Sequence, residues 1–385
     1  MTEKLNIGSN IMSKRREKIT EKLDRRTFLT GVAGAGLAMG AFEITMPGSA
    51  LAAGYPKKPI TVVVMYSAGG GTDTIMRALG AEMAKAKGWR VNVINKPGAV
   101  GGVATKYVAG QASDGHTILG GANYNKFVRV MGHSDLAPWI HWTFFQAAAG
   151  VASWSVRPDS PFKTFQDVVD AAKKNPGKVS ISTSGTGSIW HECALIVSDA
   201  AGIQLKYVPY KGGKPATLAG LQGEVDIAGG GVHEHIELIR AGKLRNLQQT
   251  APEDIEVPGR DTMLSIGNII PKLKPALPVG PTYNFIMRRD TPIDVLKEVK
   301  AAFLAAQKAP SFQAIVKKKF FLNDVRTGEA ADRRASELET IAAATFYKYR
   351  SQIGAPVKTA AELGLPKPDD FAEWWPPKGY KPQDI

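Results

Sequence analysis

The sequence predicts an α/β protein of two lobes, each a mainly parallel sheet flanked by helices, with a ligand cleft between them. Three observations carry this expectation. Strand-like and helix-like segments alternate from residue 60 to residue 247, which is the pattern of parallel sheets covered by helices on both faces. Two of the strand-to-helix junctions, one in each half, are loops of glycine and hydroxyl residues. The 385 residues, 44% hydrophobic and 22% charged, have the composition of a folded chain and the length of two to three domains.

The first segment reads as an export leader. Residues 1–23 are polar and basic, and Asp24-Arg25-Arg26-Thr27-Phe28-Leu29 then precedes a short Gly- and Ala-rich run over 31–42. Paired arginines ahead of Phe-Leu and a mildly apolar core form a twin-arginine pattern, and that core is too short to span a bilayer. Small residues in Ala50-Leu51-Ala52 place cleavage near Ala52 or Ala53, and the mature chain is expected in the periplasm. Residues 1–52 hold eight Lys/Arg and five Asp/Glu, so the rest keeps 41 basic against 30 acidic side chains. The basic excess therefore belongs to the folded part and favours anionic partners without naming them. A single Cys excludes a disulfide framework and a Cys-rich zinc module.

Ile60-Thr61-Val62-Val63-Val64-Met65 is a near-continuous apolar run, as in a strand buried on both faces. Over 73–87, Ile75, Leu79 and Met83 fall on one helical face and Gly88 supplies a stop. A strand at 91–94, a helix at 102–111 and a strand at 117–119 follow. After Pro158, Thr164 caps a helix carrying Phe165, Val168, Val169 and Ala172, which Asn175-Pro176-Gly177 ends. Strands are then predicted at 179–182, 205–208, 225–228 and 244–247, alternating with helices at 189–200, 215–222 and 232–241. Residues 252–280 read as loops, 283–287 as a late strand, and 292–307, 311–318 and 329–351 as helices. These divide the chain into a discontinuous first lobe (54–154 with 251–355), a second lobe (155–250), and a tail (356–385). The tail holds six Pro and Trp374-Trp375 and is expected to lie extended over the surface.

The chemistry is expected at the two loops. Tyr66-Ser67-Ala68-Gly69-Gly70-Gly71-Thr72-Asp73 follows a buried strand and opens a helix. Consecutive glycines let a ligand approach the main chain, and the free N–H groups of a first helical turn favour an anion. Thr72 and Asp73 read as N-cap residues. Thr183-Ser184-Gly185-Thr186-Gly187-Ser188, leading to Ile189-Trp190-His191, repeats this logic in the second half. Tyr66 and Trp190 are flat enough to stack on an aromatic acid. A third segment, Tyr207-Val208-Pro209-Tyr210-Lys211-Gly212-Gly213-Lys214-Pro215, brings lysines, of which Lys214 is expected to be solvated.

Enzyme readings find little support. His191-Glu192 and His233-Glu234-His235 do not fit H-E-x-x-H, and on a helix His233 and His235 point apart, so a surface or pH-responsive role is expected. Cys193 reads as a small core residue. No nucleophile elbow and no nucleic-acid recognition motif occurs. Neither a metal nor a cofactor is expected.

These segments together resemble one family. Tyr55-Pro56-Lys57-Lys58-Pro59-Ile60 with Ala68-Gly69-Gly70-Gly71-Thr72-Asp73 looks like the start of the tripartite tricarboxylate transporter solute receptors, also called Bug proteins. The likeness continues in order through Asn95-Lys96-Pro97-Gly98-Ala99, Ser113-Asp114-Gly115-His116-Thr117, Val208-Pro209-Tyr210-Lys211-Gly212, Gly223-Glu224-Val225-Asp226-Ile227 and Ala241-Gly242-Lys243-Leu244-Arg245. It spans roughly 55–350. It implies a two-lobed periplasmic binding protein, type II-like, that closes on a small mono-, di- or tricarboxylate, an aromatic one included, and delivers it to a membrane permease of the same system. The ligand-binding residues it implies are Ser67 through Asp73, then Thr183, Ser184, Thr186, Gly187 and Ser188, with His191; Tyr66, Tyr210 and Gly230 complete the expected pocket. Met65, Tyr66, Ile189, Trp190 and Gly229-Gly230-Gly231 depart from the family's usual residues and bear on which acid is bound. Two other readings remain on the same lobes. One is a periplasmic enzyme for an acidic substrate, with His191 or Asp73 as base. The other is a sensor that presents its ligand-bound form to a membrane kinase.

Overall fold

The computed structural model describes residues 54–385; the export leader predicted over 1–52 lies outside the described residues. The first half contains β1 (Ile60–Val64), α1 (Gly71–Lys87), β2 (Val91–Asn95), α2 (Gly102–Ala109), β3 (Thr117–Ala122), α3 (Lys126–Val130), α4 (Pro138–His141) and β4 (Trp142–Ala149). The second half runs through β5 (Ala152–Val156), α5 (Phe165–Lys174), β6 (Ser180–Thr183), α6 (Ile189–Ala201), β7 (Lys206–Pro209), α7 (Gly213–Gln222), β8 (Ala228–Gly231), α8 (Val232–Arg240) and β9 (Arg245–Gln249). A short α9 (Ile266–Ile269) leads to β10 (Thr282–Arg288), α10 (Ile293–Gln307), α11 (Pro310–Lys318), β11 (Arg326–Thr327), α12 (Glu329–Lys348), α13 (Arg350–Ile353) and α14 (Phe371–Trp374).

The first sheet has the order β11-β4-β10-β3-β1-β2. The apolar run of β1 lies inside it, parallel to β2 and β3, with Val62 opposite both Val93 and Ile118. The late strand β10 returns between β3 and β4 and is antiparallel to both. In the second half β5 lies between β8 and β9, antiparallel to each, while β6 and β7 pair in parallel. A single parallel bridge, Ile181 to Ile227, joins those two groups.

The α/β class stands, but the sheets are mixed where mainly parallel ones were expected. The reason is the crossing strands. The chain leaves the first sheet along β4, passes Gly150-Val151 and enters the second sheet as β5, then comes back as β10. None of these arrives by the right-handed helical crossover that parallel pairing needs. The strand predicted at 225–228 is found three residues later, as Ala228–Gly231. There the backbone runs close to β6: a Cβ at Gly229 would stand 2.2 Å from the Ser182 carbonyl oxygen.

One apolar core covers the first sheet, with Val62, Ile118, Phe144, Phe285 and Phe303 at its centre. A second, around Trp154, Val168, Ile181 and Ile227, fills the other half. A third cluster spans both, bringing Phe127, Val130 and Trp139 against Ile189, Trp190 and Cys193. Beside it Lys126 on α3 and Glu192 on α6 form an ion pair of 2.9 Å with side chains only 3% and 4% exposed. The tail is not the extended surface strand expected of it. Leu363, Leu365 and Phe371 are buried, because apolar residues spaced between its prolines reach the third cluster. Among the described residues no helix is long and apolar enough to cross a membrane, and no group of three potential metal ligands occurs.

Candidate functional site

The first loop leaves a helix start unguarded. Helix α1 begins at Gly71 with Gly70 as its extended N-cap, and no side chain caps it. Thr72 and Asp73 therefore lie inside the first turn, because the helix starts two residues before the expected 73. The Asp73 carboxylate turns back to accept from the Gly69 N–H at 2.9 Å, from Arg77 at 3.0 Å and from Asn95 at 2.9 Å. Burial alone would raise its pKa, but these donors outweigh it and hold the carboxyl below the usual range. With the Asp73 side chain occupied there, no side chain of α1 itself covers the N–H groups at its front, at the positive end of the helix dipole.

The second loop is built differently. Ser184 and Ser188 bond each other through their hydroxyls at 2.9 Å, and the Gly187 N–H donates to His191 Nδ1 at 3.1 Å. His191 is buried, lies 4.7 Å from the Tyr207 ring, and burial pushes its imidazole pKa down to about 4. It is a neutral brace under the loop. Gly187 packs against Met131, where an added Cβ would meet Sδ at 2.3 Å.

Both loops face one cavity of about 30 Å³, lined by Tyr66, Gly70, Gly71, Thr72, Ala122, Asn123, Ser184, Ile189, Trp190, Gly213, His233, Glu234, Pro281 and Tyr283. Six segments converge there: the start of α1, the end of β3, the front of α6, the first residues of α7 and α8, and the head of β10. A groove of about 350 Å³ adjoins it, walled by Tyr66, Gly98–Val100, His133, Ser184–Thr186 and Pro209–Lys211. At the rim the Ser67 hydroxyl donates to the Lys211 carbonyl at 2.5 Å, tying the two halves together.

Of the residues expected from sequence, Tyr66, Gly70, Gly71, Thr72 and Ser184 line the cavity, and Thr186 and Tyr210 line the groove. Ser67, Ala68 and Gly69 form the rim. Asp73, Thr183, Gly187, Ser188, His191 and Gly230 stand behind the lining and support it. Lys214, expected to be solvated, follows the cavity residue Gly213 and lies close enough to the Glu234 carboxylate to act on its charge.

Sequence reasoning passed over Asn123, Gly213, His233, Glu234 and Tyr283. The backbone at Asn123, Tyr124 and Asn125 holds φ values of 56°, 50° and 63°, a strained left-handed turn of non-glycine residues at the cavity floor. It leaves the Asn123 Nδ2 donor buried and unpartnered. The expected surface role for His233-Glu234-His235 is corrected: His233 and His235 are 5% and 0% exposed. His233 Nε2 lies 3.1 Å from the Tyr283 hydroxyl, its ring stacks on Phe321 at 4.6 Å, and its Nδ1 is unpartnered. His235 Nδ1 instead meets Ser153 and Ser155, both at 3.0 Å. Burial drives both imidazoles down to about 3, so both are neutral. Glu234, with its side chain 4% exposed, accepts from the Gly231 N–H at 3.0 Å. Burial pushes its pKa up to about 7, against the opposing pull of the Gly231 and Gly71 N–H groups and the Trp190 indole. One signal for Glu234 was present in the sequence: the triplet begins the helix after a strand, making a third strand-to-helix junction.

Comparison with known proteins gives consistent results. A family profile described as "Tripartite tricarboxylate transporter family receptor" matches residues 75–334. A UPF0065 protein in the tcbD-tcbE intergenic region of Pseudomonas sp. strain P51 is 33% identical over 216 residues, 53% of this chain and 62% of that protein. A UPF0065 protein of Bordetella pertussis is 31% identical over 272 residues, 69% of this chain and 81% of its own. Among solved structures, one described as a periplasmic transporter superposes with a TM-score of 0.70 at 26% identity, covering 78% of this chain and 99% of that one. The periplasmic binding protein BugD gives 0.70 at 24% identity, with 79% and 100% covered. MatC from Rhodopseudomonas palustris with bound malate gives 0.64 at 23% identity, with 78% and 100% covered.

Proposed function

This chain belongs to the tripartite tricarboxylate transporter receptor family, whose members and structural neighbours are solute-binding proteins, and from that premise we propose that it captures a small organic carboxylate by closure of its two halves and delivers it to a tripartite tricarboxylate-type permease. One observation carries the reading: the front of α1, which no side chain of its own helix caps, opens on a cavity whose far wall is the second-half loop. A carboxylate there meets main-chain N–H groups and the helix dipole, and Tyr66 and Trp190 supply flat apolar walls. The bound malate of MatC makes a four-carbon diacid the first ligand to try. The lobe division read from sequence is retained as part of the proposal. Its first boundary moves to Gly150, because Ala152–Val156 pairs inside the second sheet.

Closure is part of this reading. Only when the halves approach do both loops touch one ligand, so a ligand shifts the population toward the closed form. The reading is of a receptor that returns its ligand unchanged after passage through the periplasm.

The test uses the full chain, exported and recovered from the periplasm with its N-terminus near Ala52 or Ala53. Calorimetric titration with malate, citrate and benzoate is expected to find at least one acid bound far more tightly than roughly millimolar, about −4 kcal/mol, and recovered intact. Gly71→Ala is expected to weaken that acid at least tenfold, since the new Cβ would stand 2.3 Å from His233 Nε2 and 2.4 Å from the Tyr283 hydroxyl. Failure of every acid to bind, or turnover of the bound one, removes the proposal.

A further inference from the structure

The N–H group at the front of α1 already has a carboxylate beside it, and that carboxylate belongs to the protein. Glu234 is the third residue of α8, in the second half. Its Oε2 is held by the Gly231 N–H at 3.0 Å. Its Oε1 lies beside Gly70 and Gly213 on the facing loops, where the Gly71 N–H of α1, in the first half, and the Trp190 indole act on its charge. The fit is close on both sides. A Cβ built on Gly213 would stand 1.9 Å from Oε1, and one built on Gly70 would stand 3.5 Å from it. Only glycine at 213 lets the carboxylate lodge there, while on the other side it rests in ordinary contact with Gly70.

Space leads to the same conclusion. The cavity of about 30 Å³ is roughly the volume of one water molecule in the liquid. Little room is left for an organic diacid beside Glu234 in this arrangement, and withdrawal of the side chain would enlarge the cavity next to the adjoining groove. The surrounding groups suit an anion. Lys214 on α7 acts on Glu234 from one side. The neutral His233 on its own helix has Nε2 3.8 Å from Oε1, with the Tyr283 hydroxyl behind it. One buried atom of the cavity lining, Asn123 Nδ2, has no partner and can meet an incoming polar group.

We propose that Glu234 is a tethered internal ligand: its carboxylate takes the anion position between Gly71 and Gly213, holds the two halves together in place of solute, and must be displaced by the carboxylate of any acid that binds. This rests on the receptor reading and adds to it which residue sets the threshold for ligand acceptance. A tethered group competes at an effective concentration of roughly millimolar. An acid that cannot outcompete it is excluded, and one that can binds more weakly than it would to a cleft without the competitor.

The experiment compares wild type, Glu234→Gln and Glu234→Ala, with malate and citrate as probes and calorimetry as the readout. X-ray scattering of each protein without solute runs in parallel. Glu234→Ala is expected to bind the better of the two acids at least tenfold more tightly than wild type and to scatter as a more extended particle when no acid is added. Glu234→Gln keeps the size and loses the charge, so it is expected between the two. Equal or weaker binding by a folded Glu234→Ala, with unchanged scattering, overturns the proposal; should Glu234→Ala fail to fold, the same comparison is decided on Glu234→Gln. If neither acid binds any of the three, the receptor reading fails for these acids, and scattering alone then decides whether Glu234 holds the halves together.

Discussion

At Glu234 burial and hydrogen bonding pull in opposite directions, and burial wins: the carboxyl pKa rises from the usual 4.5 to about 7 despite donors at Gly231, Gly71 and Trp190 and the nearby Lys214. The folded protein therefore keeps a proton that the unfolded chain has already released between about pH 4.5 and 7. Stability contributed by this group falls as pH rises through that window and is level above it. His233 and His235, held down near 3, act with the opposite slope below pH 6.5. Comparing a variant with wild type at each pH isolates Glu234 from them. The melting-temperature advantage of Glu234→Gln over wild type is expected to widen from pH 5 to pH 7 and then stay constant. An advantage independent of pH would mean that Glu234 titrates normally. The residue was visible in the sequence as part of an odd triplet, but its direction was not. Whether position 234 faces solvent or cavity depends on where β8 ends, and β8 is three glycines after an alanine, with no periodicity to read.

Among the elements, several with a local stop or cap signal fell close to where the sequence placed them. Gly88 and Gly202 end α1 and α6 in the left-handed conformation, and Thr164 caps α5 through a full capping box with Asp167. Thr164→Ala removes one half of that box, a bond of 3.3 Å from the Asp167 N–H, and is expected to cost about 1 kcal/mol in urea denaturation. Ligand affinity should not change, because α5 does not border the cavity; no loss of stability would show that the tertiary contacts of Phe165 and Val168 alone hold that end. The strands without a local signal were missed. Trp142–Ala149 and Ala152–Val156 are buried throughout or nearly so, so they show no alternation, and a short apolar run does not distinguish strand from helix. Their antiparallel pairing was thus also hidden.

Across the whole molecule, the tail after Pro356 acts as a strap on the first half. Arg129 donates to the Leu363 carbonyl at 2.7 Å, Tyr380 to Asp332 at 2.9 Å, and Lys300 to the terminal Ile385 carbonyl at 2.6 Å. Leu363 and Leu365 bury in the third cluster, near the buried pair of Lys126 and Glu192, and Phe371 is buried beside Trp374 and Trp375. Burial of three such side chains is worth on the order of 5 kcal/mol. A chain ending at Ala355 is therefore expected to melt several degrees lower while binding the same acids, because nothing in the tail borders the cavity. A truncated chain with unchanged melting would show that these contacts contribute nothing net. Proline spacing suggested an extended run, and only the presence of an apolar surface to receive Leu363 and Leu365 made it a packed one.

By itself the sequence determined the α/β class, the helix stops and caps, and the two glycine loops that meet at the cavity, because each depends on neighbours within a few residues: buried-strand runs, left-handed glycines, and unsatisfied N–H groups at a helix start. What the tertiary structure decided depends on residues far apart in the chain. The close passage of Gly229 by β6, the strained turn at Asn123, and the Glu234 carboxylate lodged against Gly71 exist only because β4, β5 and β10 cross between the halves and set their spacing. Contacts set by that spacing leave no periodic trace in sequence.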